Sequence, residues 1–340
     1  MRVLQVIAGA EYGGAEAFFT RMVLALNKAG LEQRAVIRSH PQRAEILARS
    51  GIKVSQLPFK GVIDIYTPLA LKRDIRSFAP DIVLTWMSRA SRTCPKGDFI
   101  HVARLGGYFD PKYYRNCDHL IGNTLDIVEY LRNSGWPEER THYLPNFVNG
   151  ERAPPAPRRD SYIPDKAPLL LALGRLHEDK AFDVLMKAMT RLPDAYLWLA
   201  GDGPLRQELE SQAESLGVKH RVRFLGWRDD VAALLAACDV FICPSRHEPL
   251  GNVVIEAWAH SAPVVAADSL GPGVLIKHME TGMLVPVDDP ISLAEAVKYL
   301  LGDSKMCSRL VKEGLAAYES EFTESMVVKK YLDFLNRITG

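Results

Sequence analysis

Two series of short apolar runs alternating with helix-spaced segments, one on each side of a proline-rich stretch, constrain this chain more than any other feature. In the first series the runs are residues 3–7, 35–37, 81–84, 99–103 and 120–121, and residues 15–26 between them carry Phe18, Met22 and Leu26 on one helical face. The second series has runs at 169–173, 196–200, 222–225, 240–242 and 263–266, with a helix expected near 182–190. Short, almost purely apolar runs separated by helices read as parallel strands covered on both faces. Between the series, residues 149–168 read NGERAPPAPRRDSYIPDKAP, with five prolines, too many for a helix or a central strand. The expectation is an α/β chain of two Rossmann-like domains. Residues 1–150 form the first, 151–168 a linker and 169–322 the second. The helix at 323–340, with Val327, Tyr331, Phe334 and Leu335 at helical spacing, is free to cross back to the first domain. Parallel sheets facing each other across a cleft would bind ligands at their strand C-terminal edges.

Composition narrows the class. Of 340 residues, 47% are apolar and 24% charged, which fits two sizeable cores. No window of 18 uninterrupted apolar residues exists to span a bilayer. The start, MRVLQVIA, resembles a stunted signal peptide, but Gln5 interrupts it and a glycine loop follows, so a buried first strand and a cytoplasmic location are expected. Five cysteines, none in a CxxC pair, suit reduced core thiols better than a zinc site. Residues 1–150 hold 20 Lys and Arg against 14 Asp and Glu, a net +6, whereas 151–340 hold 22 against 27, a net −5. The basic half fits an anionic partner such as a phosphorylated lipid headgroup or the inner face of a membrane; ordinary solvation is the competing reading. No dense basic block points to nucleic acid.

Three loops carry candidate chemistry. In RHEPLGNVVIEA, Glu248 follows a strand, Gly251, Asn252 and Val253 fall where a helix should begin, and Glu256 lies about one turn further on. Free amides at a helix start meet anions, and a fixed carboxylate accepts vicinal sugar hydroxyls. In GRLHEDK, Arg175 and Lys180 sit between strand and helix, placed to clamp a diphosphate and stabilise it as it leaves. After the first strand, Gly13 and Gly14 of AEYGGAE let backbone approach a ligand closely. For an acceptor, Trp86 and Arg89 after one strand, and Tyr108 after Arg104, offer aromatic faces and cations; packing is the alternative role of the same rings.

Singly these signals are weak. Together and in this order they resemble family 4 of the retaining GT-B glycosyltransferases, over nearly the whole chain. The most specific part is the E-x7-E motif, here Glu248 and Glu256 in EPLGNVVIEAWA, followed by APVVAAD and TGMLVPVDD, with GRL-x3-K, AGDGPL, VRFLGW, GGAE and LPNFVN around it. The resemblance implies that Glu256 binds the nucleotide ribose, Glu248 the donor sugar, and the amides of Gly251, Asn252 and Val253 the sugar or diphosphate. It implies that Arg175 and Lys180 neutralise the leaving diphosphate, with Gly13 and Gly14 closing over it, and that no metal or other cofactor is needed, since no DxD appears. Arg104 stands where the family often has a histidine at the reacting centre, and Ala181 and Phe147 stand where glycine is usual. The wording TWMSR and ARLGGYFDPKYYRNCDHLIGNT is similar to bacterial enzymes that extend lipopolysaccharide or other surface glycans. The implied activity is hexosyl transfer from a nucleotide diphosphate-sugar, UDP-linked, to a glycan or lipid-linked acceptor. A nucleotide-sugar 2-epimerase on the same fold, or a non-catalytic nucleotide-sugar binding protein, are the alternatives.

Overall fold

The computed structural model describes every residue except Tyr12, Val62 and Ile63 and the side chains of Asp160 and Ser161. It divides into two compact units, Met1–Asn146 with Glu324–Gly340, and Phe147–Thr323.

Unit 1 runs β1 (Arg2–Ile7), α1 (Gly14–Lys28), β2 (Glu32–Arg38), α2 (Pro41–Arg49), β3 (Lys53–Leu57) and α3 (Tyr66–Phe78). It continues with β4 (Ile82–Trp86), α4 (Met87–Thr93), β5 (Ile100–Leu105), β6 (His119–Gly122), α5 (Leu125–Asn133) and β7 (Thr141–Tyr143). Its seven strands pair in parallel in the order β3-β2-β1-β4-β5-β6-β7. The inner strands are apolar because both faces are covered: Val3, Val6, Ile7, Ile82, Val83 and Leu84 are fully buried.

Unit 2 contains β8 (Leu169–Leu173), α6 (Phe182–Met189), β9 (Tyr196–Ala200), α7 (Arg206–Ser215), β10 (Val222–Gly226) and α8 (Val231–Ala237). There follow β11 (Val240–Cys243), α9 (Asn252–Ala259), β12 (Val264–Ala267), α10 (Leu270–Leu275), β13 (Met283–Val285), α11 (Pro290–Gly302) and α12 (Ser304–Glu321). Its six strands are parallel in the order β10-β9-β8-β11-β12-β13. In both units the order reverses beside the first strand, the place where doubly wound sheets open a crevice at their strand C-terminal ends.

Two segments differ from a simple hinge and tail. The proline-rich stretch is tied to unit 2: Ala156 N–H donates to Ala233 O at 2.9 Å, Ile163 is buried, and Arg158 donates to Ala237 O and pairs with Asp239 at 3.0 Å. Arg158 thereby satisfies a carbonyl that the end of α8 leaves open. The final helix, α13 (Glu324–Thr339), belongs to unit 1, where Val327, Tyr331, Phe334 and Leu335 are buried. The five cysteines are free; burial pushes the Cys94 and Cys238 thiols up to about 12 and Cys243 to about 11. Among the described residues no helix is long and apolar enough to cross a membrane.

Candidate active site

In unit 2 the loop after β8 is shaped by close backbone contact. Gly174 and Gly201 have φ of +148° and +142°, and a Cβ on Gly201 would lie 1.9 Å from Gly174 O. Gly203 is equally confined, its added Cβ meeting Leu176 backbone at 2.5 Å. This lets the AGDGPL turn brace the GRL turn: Gly174 N–H reaches Ala200 O, Leu176 N–H reaches Asp202 O and Leu205 N–H reaches Leu176 O, at 3.0–3.1 Å. Leu176 is buried beneath, and Arg175 is exposed. A single helical turn, Glu178–Lys180, follows and delivers Lys180. The turn ends on Ala181 at φ 51°, a left-handed conformation that explains why glycine suits this position.

Glu248 comes from the loop after β11 and is 7% exposed. Lys180 Nζ donates to Glu248 Oε2, so two residues expected to face neighbouring parts of one donor do meet. Gly271 N–H holds Glu248 O at 2.7 Å, and a Cβ on Gly271 would come within 2.5 Å of that oxygen. Gly251, at φ 66°, then caps α9 with no side-chain cap, so α9 begins at Asn252 and Val253 with amides that have no partner inside the helix itself. Glu256 lies half-buried on α9, one turn after Asn252.

Arg246 fastens these loops together, a role that spacing alone does not disclose. Its Nη1 and Nη2 donate to Asp183 at 2.8 and 2.7 Å, its Nε to Asp288 at 2.6 Å, and Nη1 also to Glu178 O at 3.0 Å. His247 N–H adds a bond to Asp179 O at 3.1 Å. Burial alone would raise the Asp183 carboxyl, but the hydrogen bonds and charge of Arg246 outweigh it and hold the group below its usual range. The Lys180 turn and the Glu248 loop are thus fixed to one guanidinium.

In unit 1 the glycine loop after β1 is organised by Glu16, another residue whose position in GGAE gave only a hint. Glu16 is 4% exposed, and its Oε1 accepts from Ala10 N–H at 2.7 Å. A Cβ on Gly9 or Gly13 would meet the Glu16 carboxylate at 2.3 Å, so glycine at both lets the acid tuck under the loop. Buried Arg43 donates to Glu11 O at 3.1 Å. Burial lowers its pKa, and the charge of Glu16 works against that. Gly14 opens α1 with nothing within 4 Å of where a Cβ would stand.

Comparison with known proteins shows the family. Residues 155–316 match the model for glycosyl transferases group 1, and residues 12–152 match that for glycosyltransferase family 4. A Rhizobium meliloti lipopolysaccharide core biosynthesis glycosyltransferase, LpsE, is 38% identical over 95% of this chain and 96% of its own length. LpsD of the same organism is 34% identical over 99% and 98%. The chain belongs to the group 1/family 4 glycosyltransferases.

The fold of this glycosyltransferase is GT-B. Anabaena HepE, solved with UDP and glucose, superposes with a TM-score of 0.83 at 21% identity over 99% of this chain and 100% of that one. The apo lipopolysaccharide outer core galactosyltransferase WaaB gives 0.79 at 17% over 99% of both. Within the glycosyltransferase, Arg175, Lys180, Glu248, Gly251, Asn252, Val253 and Glu256 all fall on two loops and one helix of unit 2. The unit 1 residues behave differently. Trp86 corrects the expectation of an acceptor contact: it is 1% exposed, donates its Nε1–H to Gln5 Oε1 at 2.9 Å and packs edge-on to Phe19, because β4 is a central strand with both faces covered. Arg104 is likewise interior, at 3% exposure. Its guanidinium lies between Phe18 and Trp86, 4.8 and 4.7 Å from the ring centres, donates to Tyr331 Oη at 2.8 Å and bonds Asn146. That environment fits a cation that holds α13 to its unit, and differs from the place at the reacting centre that the resemblance gives the family's histidine. Arg89 is exposed on α4; Tyr108 is on the surface, its hydroxyl bonded to Asp126 and its ring edge-on to Tyr130.

Proposed function

We propose that this glycosyltransferase moves a hexosyl group, with retention of anomeric configuration and without a metal, from a UDP-linked donor to the growing core of a lipopolysaccharide or related surface glycan. The observation that carries the donor half is the pairing of Lys180 with Glu248 beside the Arg175 turn and the open start of α9. These groups supply fixed positive charge for a diphosphate and a carboxylate for sugar hydroxyls. In the reaction the bond from anomeric carbon to diphosphate oxygen breaks with its electron pair going to the diphosphate. The acceptor hydroxyl attacks from the same face, and its proton passes to the departing phosphate oxygen. Arg175 and Lys180 stabilise the charge that grows there, and Glu256 fixes the ribose. The similarity to two lipopolysaccharide core enzymes over almost the whole length supports the acceptor class, and the UDP in HepE supports the donor base.

Two measurements test the reading. Thermal unfolding in EDTA against a panel of nucleotide diphosphates and their sugars is expected to show stabilisation by uridine compounds, about 2.7 kcal/mol at a hundredfold excess over Kd. The anomeric configuration of product from an α-linked donor, read by proton NMR, is expected to be α. An inverted product, or a strict need for divalent metal, overturns the mechanism. Donor turnover to an epimer without acceptor favours the epimerase instead.

The proposal includes peripheral contact with the cytoplasmic face of an anionic membrane. Ile65, Tyr66 and Leu69, at the start of α3, are 79, 65 and 66% exposed, and Lys60, Lys72, Arg73 and Arg76 beside them are exposed cations. Apolar tips backed by basic side chains suit a headgroup layer.

A further inference from the structure

Past the C-terminal ends of β1 and β2, unit 1 has a cleft of about 600 Å3 whose chemistry differs from that of the donor loops. It is lined by Gly9, Ala10 and Glu11 after β1 and by Arg38, His40 and Gln42 at and after the end of β2. Pro41 is the apolar side chain of appreciable size in the lining, so the cleft suits a hydrated, hydroxyl-bearing ligand better than a hydrocarbon chain. It lies at the end of the sheet where ligands of such folds bind.

Charge identifies the ligand further. Arg38 is exposed and has no carboxylate partner among the described residues; its hydrogen bond is a long one, 3.4 Å from Nη1 to Gly9 O. α2 begins at the same wall, capped by His40, whose Nδ1 accepts from Arg43 N–H at 3.1 Å. No acid occupies the first turn of α2, so its positive end is not neutralised from within; instead Arg43, buried, stands there and reaches Glu11 O. Glu11 is the acid of the lining, set against Arg38, Arg43 and the helix end.

We infer that this cleft is an acceptor subsite for a sugar carrying an oxyanion, carboxylate or phosphate, with Arg38 as the group that pairs with it. The inference rests on the glycosyl-transfer reading and adds the substrate class: the enzyme extends an acidic or phosphorylated sugar and discriminates against its neutral counterpart. An exposed guanidinium pairs with either oxyanion in two-pronged fashion, and the neighbouring backbone and amide groups are left to meet ring hydroxyls.

Saturation-transfer NMR on the intact chain tests this, with UDP present to fill the nucleotide site. The probes are methyl glucuronide, glucose 6-phosphate and methyl glucoside. Expected are transfer to at least one of the two anionic sugars, at least fivefold weaker transfer to methyl glucoside, and loss of the anionic signal in Arg38→Ala, with part retained in Arg38→Lys. The stronger of the two anionic signals tells carboxylate from phosphate. Equal signals from all three probes, no signal from any, or an anionic signal undiminished in a folded Arg38→Ala protein overturns the subsite. Thermal stabilisation by UDP on the same sample keeps the two readings apart. UDP binding without anion preference sinks the subsite alone, whereas Arg38-dependent anion binding with no response to any nucleotide sinks the donor reading and leaves the anion cleft standing.

Discussion

Lys180 and Glu248 stand 68 residues apart and meet as an ion pair because one short turn after β8 and one loop after β11 both reach the crevice of unit 2. On the proposed mechanism, in which Lys180 and Arg175 meet the departing diphosphate, truncating either to alanine is expected to lower kcat by about 100- to 1000-fold with a smaller change in KM. Equal turnover in both variants removes the leaving-group role. Glu256→Ala should instead weaken nucleotide binding by about 10- to 100-fold, the worth of a charge-assisted hydrogen bond, as read by calorimetry with UDP. These residues were legible because family wording and loop position coincide on them. Trp86 and Arg104 were not, because a strand C-terminus tells where a residue lies along the sheet and says nothing of what covers it; α13, more than 200 residues away, supplies Tyr331 against Arg104. Glu16 and Arg246 were hidden for the opposite reason. Each lies inside a quoted motif, and each acts through partners, Ala10 N–H for one and Asp183 and Asp288 for the other, that no local pattern announces.

At the scale of elements, the inner strands read directly from sequence, while β3, β7 and β13 did not. All three are sheet edges or next to them. β3 is KVSQL, with exposed Lys53 and Gln56, and β7 and β13 have only three residues each, so none offers the apolar run that marks a strand covered on both faces. The bracing of GRL by AGDGPL runs through backbone groups that no side-chain pattern marks, and it makes a sharp prediction. Gly201→Ala puts a methyl into Gly174 O and a side chain at φ +142°, and should cost about 3 kcal/mol or more in a urea melt. A second prediction concerns α13, whose Phe334 packs 4.6 Å from His142 and 6.2 Å from His119, the two imidazoles being hydrogen-bonded at 3.1 Å. Burial first, then the charge of His119, Arg337 and Arg132, pushes His142 down to about 4; burial and Arg140 and Arg337 also lower His119, against the opposing pull of Asp118. The unfolded chain therefore takes up protons below about pH 6.5 that the native pair refuses, so stability is intact above pH 7 and falls as pH drops from about 6.5 towards 4. Because both rings are partly exposed and solvent screens their charges, the loss is held to about 2 kcal/mol or less, and His142→Gln should flatten that part of the pH profile measured by urea melts. An unchanged slope in the variant assigns the acid sensitivity elsewhere.

Over the whole molecule the charge is divided unevenly, +6 in residues 1–150 against −5 in 151–340, and a neutral total conceals it. Unit 1 carries both the exposed apolar tip of α3 and the cations Lys60, Lys72, Arg73 and Arg76, the groups on which the proposed membrane contact rests. Each basic side chain near such a surface contributes about 1 kcal/mol, and buried apolar tips add a part that salt does not screen. Two variants separate these contributions. The purified enzyme is expected to co-sediment with vesicles containing phosphatidylglycerol and to be released by salt, with affinity falling about tenfold or more as the Debye length shrinks from about 10 Å to 3 Å. Lys72→Glu with Arg73→Glu should remove the salt-sensitive part and leave at most a weak binding that salt does not release. Ile65→Ser with Leu69→Ser should leave weak binding at low salt and none at high salt, because only the screened part remains. Both pairs lie on exposed positions, so sugar transfer to a soluble acceptor fragment should persist while transfer to a vesicle-borne acceptor drops. If both pairs bind vesicles as the parent does, the tip of α3 is not the membrane face, and the excess positive charge of residues 1–150 then serves the acceptor alone.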